Sequence, residues 1–260
     1  MSSSHVIRVR EATPADLEAI LDIYSLAFDD NIMNELMYPK GFTASCRKAF
    51  GSKFLPEQPA KDGKTSTKGK NQTFVCVAEY LPEGDSTNGP GEIVAFAKWG
   101  LQREPLSEEE WKNETFEATQ EGWGDDCDIS VVNAFICEMN RIQRDHAKGE
   151  AALYLHIIGC APARQRSGAG SALVQWGVNL ADSLGLPSRL EASPAGYGLY
   201  RKFGYEDVAV MDVKVSEIWG RTKPPGSNWG ENNAVDLAGP VPPGAQRTVI
   251  MRRPQKRAIV

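Results

Sequence analysis

One short apolar segment leads straight into a glycine-containing turn and an amphipathic helix, and this unit constrains the fold more than any other feature. Ala152–Cys160 is almost wholly apolar apart from His156, which predicts a central strand buried on both faces of a sheet. The following helix is predicted to begin near residues 168–170 and to end at Gly185, because glycine readily takes the left-handed conformation that closes a helix. Its packed face comprises Leu173, Trp176, Gly177, Leu180, Ala181 and Leu184.

Strand-like and helical patterns alternate along the rest of the chain. Residues 73–80 and 92–101 are rich in β-forming residues and flank a turn-rich connection, which predicts a hairpin. Thr13 followed by Pro14 combines a helix cap with a proline at the first helical position, so a helix is expected there. Further strands are predicted at residues 6–10, 189–192, 208–215 and 248–252. The pattern as a whole predicts an α/β fold.

The length of 260 residues fits one large domain better than two small ones. Ser107 and Glu110 form a capping-box pattern that opens a helix-rich insertion at about residues 102–147. A second excursion, at about residues 220–246, is rich in Pro, Gly and Asn and is too long for a tight turn, so it is interpreted as a loop or flap. Residues 57–71 are predicted to be a solvated loop.

Charge and cysteine content exclude several classes of protein. The formal net charge of −5 argues against general binding to nucleic acid or to an anionic membrane, because both need a basic face. The five cysteines include no close pair, which predicts reduced thiols, no metal site and a cytoplasmic protein. No apolar run approaches the roughly 20 residues that a membrane-spanning helix needs.

The turn at residues 165–170 has the properties of an anion-binding site. The first turn of a helix carries N–H groups without intrahelical acceptors, and these groups favour an anion. Gly168 and Gly170 allow the backbone to approach a diphosphate closely, and Arg166 adds positive charge. The turn lacks the Gly-Lys-Ser/Thr ending of a Walker loop, and the third glycine of a dinucleotide fingerprint would fall at Leu173. Similar turns also begin helices that bind nothing.

Two motifs make the chain resemble the GNAT acetyltransferase superfamily. Residues 165–170 match its Gln/Arg-x-x-Gly-x-Gly/Ala signature in full, and residues 199–205 resemble its Leu-Tyr-x-x-x-Gly-Phe motif, in the same order and at a similar separation. The run from Tyr154 to Tyr205 resembles fungal-type members, especially across residues 191–197. This resemblance implies the GNAT fold: a mixed, mostly antiparallel sheet of about seven strands, splayed between strands four and five and flanked by helices.

The resemblance also implies acetyl-CoA as cosubstrate, without a metal, and it assigns the cofactor-binding residues. Ser193 stands where many members carry an asparagine that contacts pantetheine, and its alternative role is that of a plain helix cap. Tyr200 is expected close to the thiol of the cofactor. The pantetheine and thioester are assigned to Ile158, Gly159 and Cys160, and the pyrophosphate to Gln165, Arg166, Ser167, Gly168, Ala169, Gly170 and Ser171.

The same resemblance implies direct attack of an amine on the thioester. Tyr200 occupies the position of the general acid, and the backbone N–H of Ile158 or its neighbour is the natural donor to the oxyanion. His156 is the first candidate for the base, with a hydrogen-bonded core histidine as the alternative; Glu191 is the second, with a structural ion pair as the alternative. Nothing around Cys160 indicates a nucleophile. Phe28, Tyr38, Trp99 and Trp123 are candidates for lining the acceptor pocket.

The leading functional hypothesis is an N-acetyltransferase acting on the amine of a small molecule. A protein or peptide N-acetyltransferase is one alternative and should show an open groove, whereas a small acceptor needs a closed pocket. A non-catalytic acyl-CoA-binding module is the other alternative. O-acetylation, the identity of the acceptor and the oligomeric state stay open at this point, including a homodimer formed through the last strands.

Overall fold

A computed structural model describes residues 5–54, 71–82 and 89–256. These residues form a seven-stranded sheet with the strand order β1-β2-β3-β4-β5-β7-β6. Only β4 and β5 are parallel, and every other neighbouring pair is antiparallel. The strands are β1 His5–Glu11, β2 Asn71–Pro82, β3 Glu92–Gln102, β4 Ala152–Cys160, β5 Ser188–Ala192, β6 Glu206–Val213 and β7 Gln246–Arg253. The mixed, mostly antiparallel sheet is therefore confirmed, whereas the loop predicted at residues 57–71 lies almost wholly outside the described residues.

Helices cover both faces of this sheet. The α-helices are α1 Leu17–Ala27, α2 Ile32–Met37, α3 Ala44–Phe54, α4 Glu108–Lys112, α5 Gln120–Trp123, α6 Ile129–Val132, α7 Glu138–Ala147, α8 Ala169–Leu184, α9 Tyr197–Lys202, α10 Val215–Trp219 and α11 Val235–Ala238. A π-helical turn, Asn133–Cys137, joins α6 to α7. Val215, expected at the end of a strand, instead begins α10. Within the described ranges, no helix is long and apolar enough to cross a membrane.

The amphipathic helix α8 packs on one face of the sheet. The indole of Trp99 is fully buried beneath it, and a Cβ atom placed on Gly177 would lie 2.2 Å from Cζ2 of that indole. Because no side chain fits in that space, the glycine permits the close approach of helix and sheet. This packing fixes the axis of α8, and so the direction in which its N-terminus points.

The opposite face of the sheet carries α1, α2 and the helices of the insertion between β3 and β4. Helix α1 contacts β3 and β4, while α7 reaches across to the edge strand β6. Their apolar side chains form a second core with the other face of the sheet, for example around Phe96 and Ile250. The insertion therefore roofs the sheet on the side opposite α8.

A β-bulge in β4 redirects its central side chains. Trp99 of β3 pairs with Leu155 and Lys98 pairs with Ile157, so His156 is an extra residue without a partner on β3. A Cβ atom on Gly100, the partner of Tyr154, would lie 2.4 Å from Nε2 of His156. His156 therefore lies on the same face of the sheet as Tyr154, as two residues separated by one position in a strand do.

Candidate active site

The predicted anion-binding turn has the backbone geometry of an open helix N-terminus. Arg166 and Gly168 both adopt left-handed conformations, with φ of 65° and 93°, and α8 begins at the next residue. The first hydrogen bond of the helix runs from the Ala172 N–H to the Gly168 carbonyl at 2.9 Å. The N–H groups of Ala169, Gly170 and Ser171 precede that bond and have no intrahelical acceptor.

Space for a ligand lies beside these N–H groups. A Cβ atom on Gly168 would meet no atom within 4 Å, and one on Gly170 would meet only Leu199 Cδ2, at 3.7 Å. The Ser167 hydroxyl is buried and has no hydrogen-bond partner in the described part of the chain. The Ser167 carbonyl is bonded to Nε2 of His5 at 2.8 Å, which ties the turn to β1. Free donors and open space at one turn fit the diphosphate of a cofactor.

Beyond the bulge, β4 separates from β5. Their parallel pairing ends at Leu155 and Leu190. Further along β4, the Ala161 N–H donates to the Val94 carbonyl of β3, and the alternation of a strand directs the N–H groups of Ile158 and Cys160 to the other side. These two N–H groups therefore face the opening between β4 and β5.

Two side-chain features refine the predictions for this part of β4. A Cβ atom on Gly159 would lie 2.8 Å from the ring of Phe96, so the strand needs glycine at this position. Burial raises the pKa of the Cys160 thiol, which keeps it protonated and agrees with its exclusion as a nucleophile.

Ser193 and Tyr200 lie at the turn that precedes α9. The Ser193 hydroxyl accepts a hydrogen bond from the Gly196 N–H at 3.2 Å, as a cap would. Tyr200 is only 4% exposed, and its hydroxyl lies 3.2 Å from the position of a Cβ atom on Gly196. Burial and the nearby Tyr205 and Glu191 raise the pKa of Tyr200 well above its usual value. The phenol therefore stays protonated at neutral pH.

Glu191 and Tyr154 form a hydrogen-bonded pair between β5 and β4. The Tyr154 hydroxyl donates to Oε2 of Glu191, while Oε1 is buried and has no partner among the described residues. Burial raises the pKa of Glu191 to about 7, although the hydrogen bond from Tyr154 opposes this shift. The neighbouring Arg189 makes its ion pair with Glu150 instead, so the described residues do not place Glu191 in an ion pair.

His156 lies beside this pair, with its ring edge-on to Tyr154 at a centroid distance of 4.6 Å. The side chain is exposed to a cavity between the sheet and the insertion, and many protein atoms surround it. This environment and the charge of Lys98 lower the pKa of His156 to about 4. Exposure to the cavity distinguishes His156 from the hydrogen-bonded core histidine that was its alternative.

The cavity has a volume of about 950 Å³ and lies between the sheet and the insertion helices. Tyr154, His156 and Arg189 contribute from the sheet, and α7 covers them. The insertion residues were missed by sequence reasoning, since they share no motif. The candidates for lining the acceptor pocket, for which core packing was the alternative, do not line this cavity: Phe28, Tyr38, Trp99 and Trp123. The insertion lines it with Glu114, Thr115, Phe116, Asn133, Ala134, Cys137, Glu138, Asn140, Arg141, Gln143, Arg144 and Ala147.

Comparison with known proteins identifies the architecture. No protein-family model matches the sequence. Three solved structures superimpose over nearly the whole chain at low sequence identity. A mosquito arylalkylamine N-acetyltransferase-like protein gives a TM-score of 0.53 at 16% identity, over 95% of this chain and 99% of its own. A protein from Corynebacterium glutamicum described as histone acetyltransferase HPA2 and related acetyltransferase gives 0.51 at 16% identity, over 98% and 99%.

An agmatine N-acetyltransferase variant in its apo form gives a TM-score of 0.50 at 14% identity, over 95% of this chain and 98% of its own. The chain has the GNAT fold. In this fold the turn at residues 165–170 follows β4, and the Tyr154–Glu191 pair joins β4 to β5 before the two strands separate. No group of three or more His, Cys, Asp or Glu side chains suited to a metal ion occurs within the described residues.

Proposed function

We propose that the protein is an acetyl-CoA-dependent N-acetyltransferase that acts on the amine of a small molecule. The observation that carries this proposal is the opening beside β4. The N–H groups of Ile158 and Cys160, which have no partner on β5, and the N-terminus of α8 follow the bulge in β4, and the hydrogen-bonded pair of Tyr154 and Glu191 lies on its other side. Motif residues 191–197 support the further proposal of a fungal-type member.

The residues present suit a cofactor that has a diphosphate and an extended amide-containing arm. Residues 165–171 would hold the diphosphate through backbone N–H groups, and the Ser167 hydroxyl offers one more donor. Residues 158–160 would hold the arm, because an amide can pair with the exposed strand edge as a neighbouring strand does. When bound, acetyl-CoA supplies an acetyl group activated as a thioester.

Glu191 is the better candidate for the general base. Its pKa of about 7 matches neutral pH, whereas His156, with a pKa of about 4, is a weak base there. His156 remains neutral and can accept a hydrogen bond from the incoming amine. The backbone N–H of Ile158 is placed to donate to a developing oxyanion, because it has no strand partner on the β5 side.

The proposed role of Tyr200 is that of a hydrogen-bond donor to the departing thiolate. A thiol titrates near about 8.5, well below this buried phenol, so complete proton transfer from the phenol is unfavourable. A charge-assisted hydrogen bond still stabilises the thiolate until a proton arrives.

The roofed cavity supports a small acceptor in preference to a protein. Helix α7 and the π-helical turn lie over His156 and Tyr154, and an extended peptide would need an open groove there. We also propose that the insertion of residues 102–147 and the excursion of residues 220–246 belong to one domain with the sheet. All five cysteines are free thiols, which supports a cytoplasmic location.

The test is release of free thiol from acetyl-CoA, followed for the purified protein with a panel of small amines and with a lysine-containing peptide. Turnover with small amines at a kcat/KM at least tenfold above that of the peptide is expected. Faster turnover of the peptide would contradict the small-molecule proposal and support a protein N-acetyltransferase. Binding of acetyl-CoA without turnover of any acceptor would favour the non-catalytic module.

A further inference from the structure

Two arginines share one carboxylate at the floor of the acceptor cavity. The Glu150 carboxylate is shared by two guanidinium groups, with Arg189 Nη2 at 2.6 Å from one oxygen and Arg252 Nη2 at 2.5 Å from the other. Glu206 of β6 lies opposite Arg252 and raises its pKa, so Arg252 has carboxylates on two sides, whereas Arg189 has its ion pair with Glu150. Glu150 and Arg189 both line the cavity.

Arg189 also has a donor without a partner in the part of the chain that the structure describes. Its residue exposure is only 5%, and Nη1 is buried without a hydrogen-bond partner among the described residues. Oε1 of Gln143, on α7 above, is likewise buried and without a partner. Unpaired buried polar atoms are uncommon and unfavourable, and a binding site is one established reason for keeping them.

Most of the other charged groups around the cavity are paired with one another. On α7, Arg141 pairs with Glu138 and with Asp145, and Arg144 pairs with Asp145, so these two arginines and two acids balance. The remaining carboxylate of the lining, Glu114, is exposed to solvent, where screening weakens its field.

The spacing along β5 relates the guanidinium of Arg189 to the proposed base, Glu191. Arg189 and Glu191 are two residues apart on one strand, so their side chains share a face and their Cα atoms are about 7 Å apart. An amine at Glu191 and an anion at Arg189 can therefore belong to one compact molecule. An amino acid carries an amine and a carboxylate on one small molecule, so it offers a partner to each of two neighbouring side chains on one face of the strand.

We propose that the acceptor carries a carboxylate near its amine, and that Arg189, supported by Arg252, binds that carboxylate. This assignment of an amino-acid-like substrate class rests on the proposed acetyltransferase function. It also names a ligand for the buried guanidinium that the acid–base machinery leaves unused.

The experiment compares free amino acids with their methyl esters, which retain the amine but lose the anion. L-amino acids with varied side chains and β-alanine are assayed with acetyl-CoA, and their binding is measured separately by calorimetry in its absence. The free acids are expected to have a kcat/KM at least tenfold above the esters. Equal or better turnover of the esters, or turnover confined to amines without a carboxylate, would overturn the proposal.

Two substitutions in the cluster should act in opposite directions. Arg252→Gln removes one cation and is expected to raise KM for the free acid about tenfold, while leaving KM for the ester unchanged. Glu150→Gln removes the shared anion and is expected to lower KM for the free acid. If the cluster has only a structural role, both variants should raise KM for the free acid and for the ester by the same factor. Arg47→Gln, which loses two surface ion pairs on α3, is the control.

The calorimetric binding measurements distinguish the anion-site proposal from the acetyltransferase proposal. Acetyl-CoA binding and turnover of amines without preference for a carboxylate would leave the acetyltransferase standing and remove the anion site. Calorimetric binding of the free acids, but not of the esters, in a protein that fails to bind acetyl-CoA would support the anion site and remove the proposed function. Binding of neither partner would contradict both.

Discussion

Glu191 and His156 flank Tyr154, and burial moves their pKa values in opposite directions. Loss of water disfavours the charged form of each group. The pKa of the Glu191 carboxyl is therefore raised to about 7, and the pKa of the His156 imidazole is lowered to about 4. Lys98 contributes to the lower value of His156 by repulsion. The two candidate bases therefore have different pKa values, and the pH dependence of the rate can distinguish them.

The pH dependence of kcat/KM is predicted to identify the base. If Glu191 accepts the proton, the acidic limb of the wild-type profile has its midpoint near pH 7, since the carboxylate must be ionised. Glu191→Gln should remove this limb and lower kcat/KM by about 100-fold, whereas His156→Ala should preserve its midpoint. A limb near pH 4 that disappears in His156→Ala would instead assign the base to His156. An amine acceptor of low pKa is used, because its own titration then lies outside this window.

Substitution of Tyr200 by Phe is predicted to lower kcat by about 10- to 100-fold, because one hydrogen bond to the departing thiolate is lost. Acetyl-CoA affinity should change by less than threefold, since the ring and its packing against Tyr205 are retained. Single-turnover kinetics and calorimetry measure the two quantities separately. An unchanged rate, with chemistry shown to be limiting, would dismiss Tyr200 as the donor.

At the scale of secondary-structure elements, the placement of the site depends on how α8 meets the sheet. Gly177 lets the helix lie directly on Trp99, and two left-handed residues, Arg166 and Gly168, connect the chain after β4 to the N-terminus of the helix. Adding a single methyl group at this contact between helix and sheet therefore tests the fold.

Gly177→Ala is predicted to destabilise the protein by about 1–3 kcal/mol, because the added methyl group forces the indole of Trp99 to move within a packed core. Gly198→Ala on α9 is the matched control, since a Cβ atom there meets nothing within 4 Å. That change should be neutral or stabilise by up to about 1 kcal/mol. Urea unfolding of both variants gives the comparison, and equal stabilities would contradict the described contact.

The main elements of the fold could be predicted from the sequence because their signals are local. Buried strand β4, the glycine turn and α8 follow from apolar runs, glycine positions and helical spacing. The bulge at His156 could not be predicted, because periodicity within one strand does not show which residue lacks a partner on the next.

The candidate site was predictable only where a motif marks it. Tyr154, Arg189 and the α7 residues of the cavity carry no motif, and only the three-dimensional structure brings them together. Trp99 was a candidate for lining the acceptor pocket, with core packing as its alternative, and it packs beneath α8, because an aromatic residue in a strand can face either side of the sheet.

For the whole molecule, the raised pKa of Glu191 predicts a pH-dependent cost to folding. Its pKa is about 7 in the folded protein against 4.5 for the free side chain, so the folded state binds more protons between these values. The contribution of Glu191 to the free energy of unfolding is fully present below pH 4.5 and is lost as the pH rises through 7. The whole loss amounts to about 3 kcal/mol.

Glu191→Gln removes this dependence. The variant should gain stability relative to wild type between pH 4.5 and 7, and the difference should level off above pH 7. Urea unfolding at pH 4.5, 6 and 7.5 measures the difference. Glu217→Gln, on the exposed surface of α10, is the control. A constant difference between Glu191→Gln and wild type across this range would contradict a buried, protonated carboxyl.

The most direct test of the central proposal is isothermal titration of the protein with acetyl-CoA, with NAD and ATP as comparison ligands. Wild type is predicted to bind acetyl-CoA selectively, and Gly168→Asp should weaken binding at least 100-fold, because it adds a negative charge and a strained residue at φ 93° beside the diphosphate. Gly220→Asp, at another open left-handed glycine outside the turn, should bind as wild type does. Absence of acetyl-CoA binding to wild type, or equal affinity in Gly168→Asp, would contradict the cofactor assignment.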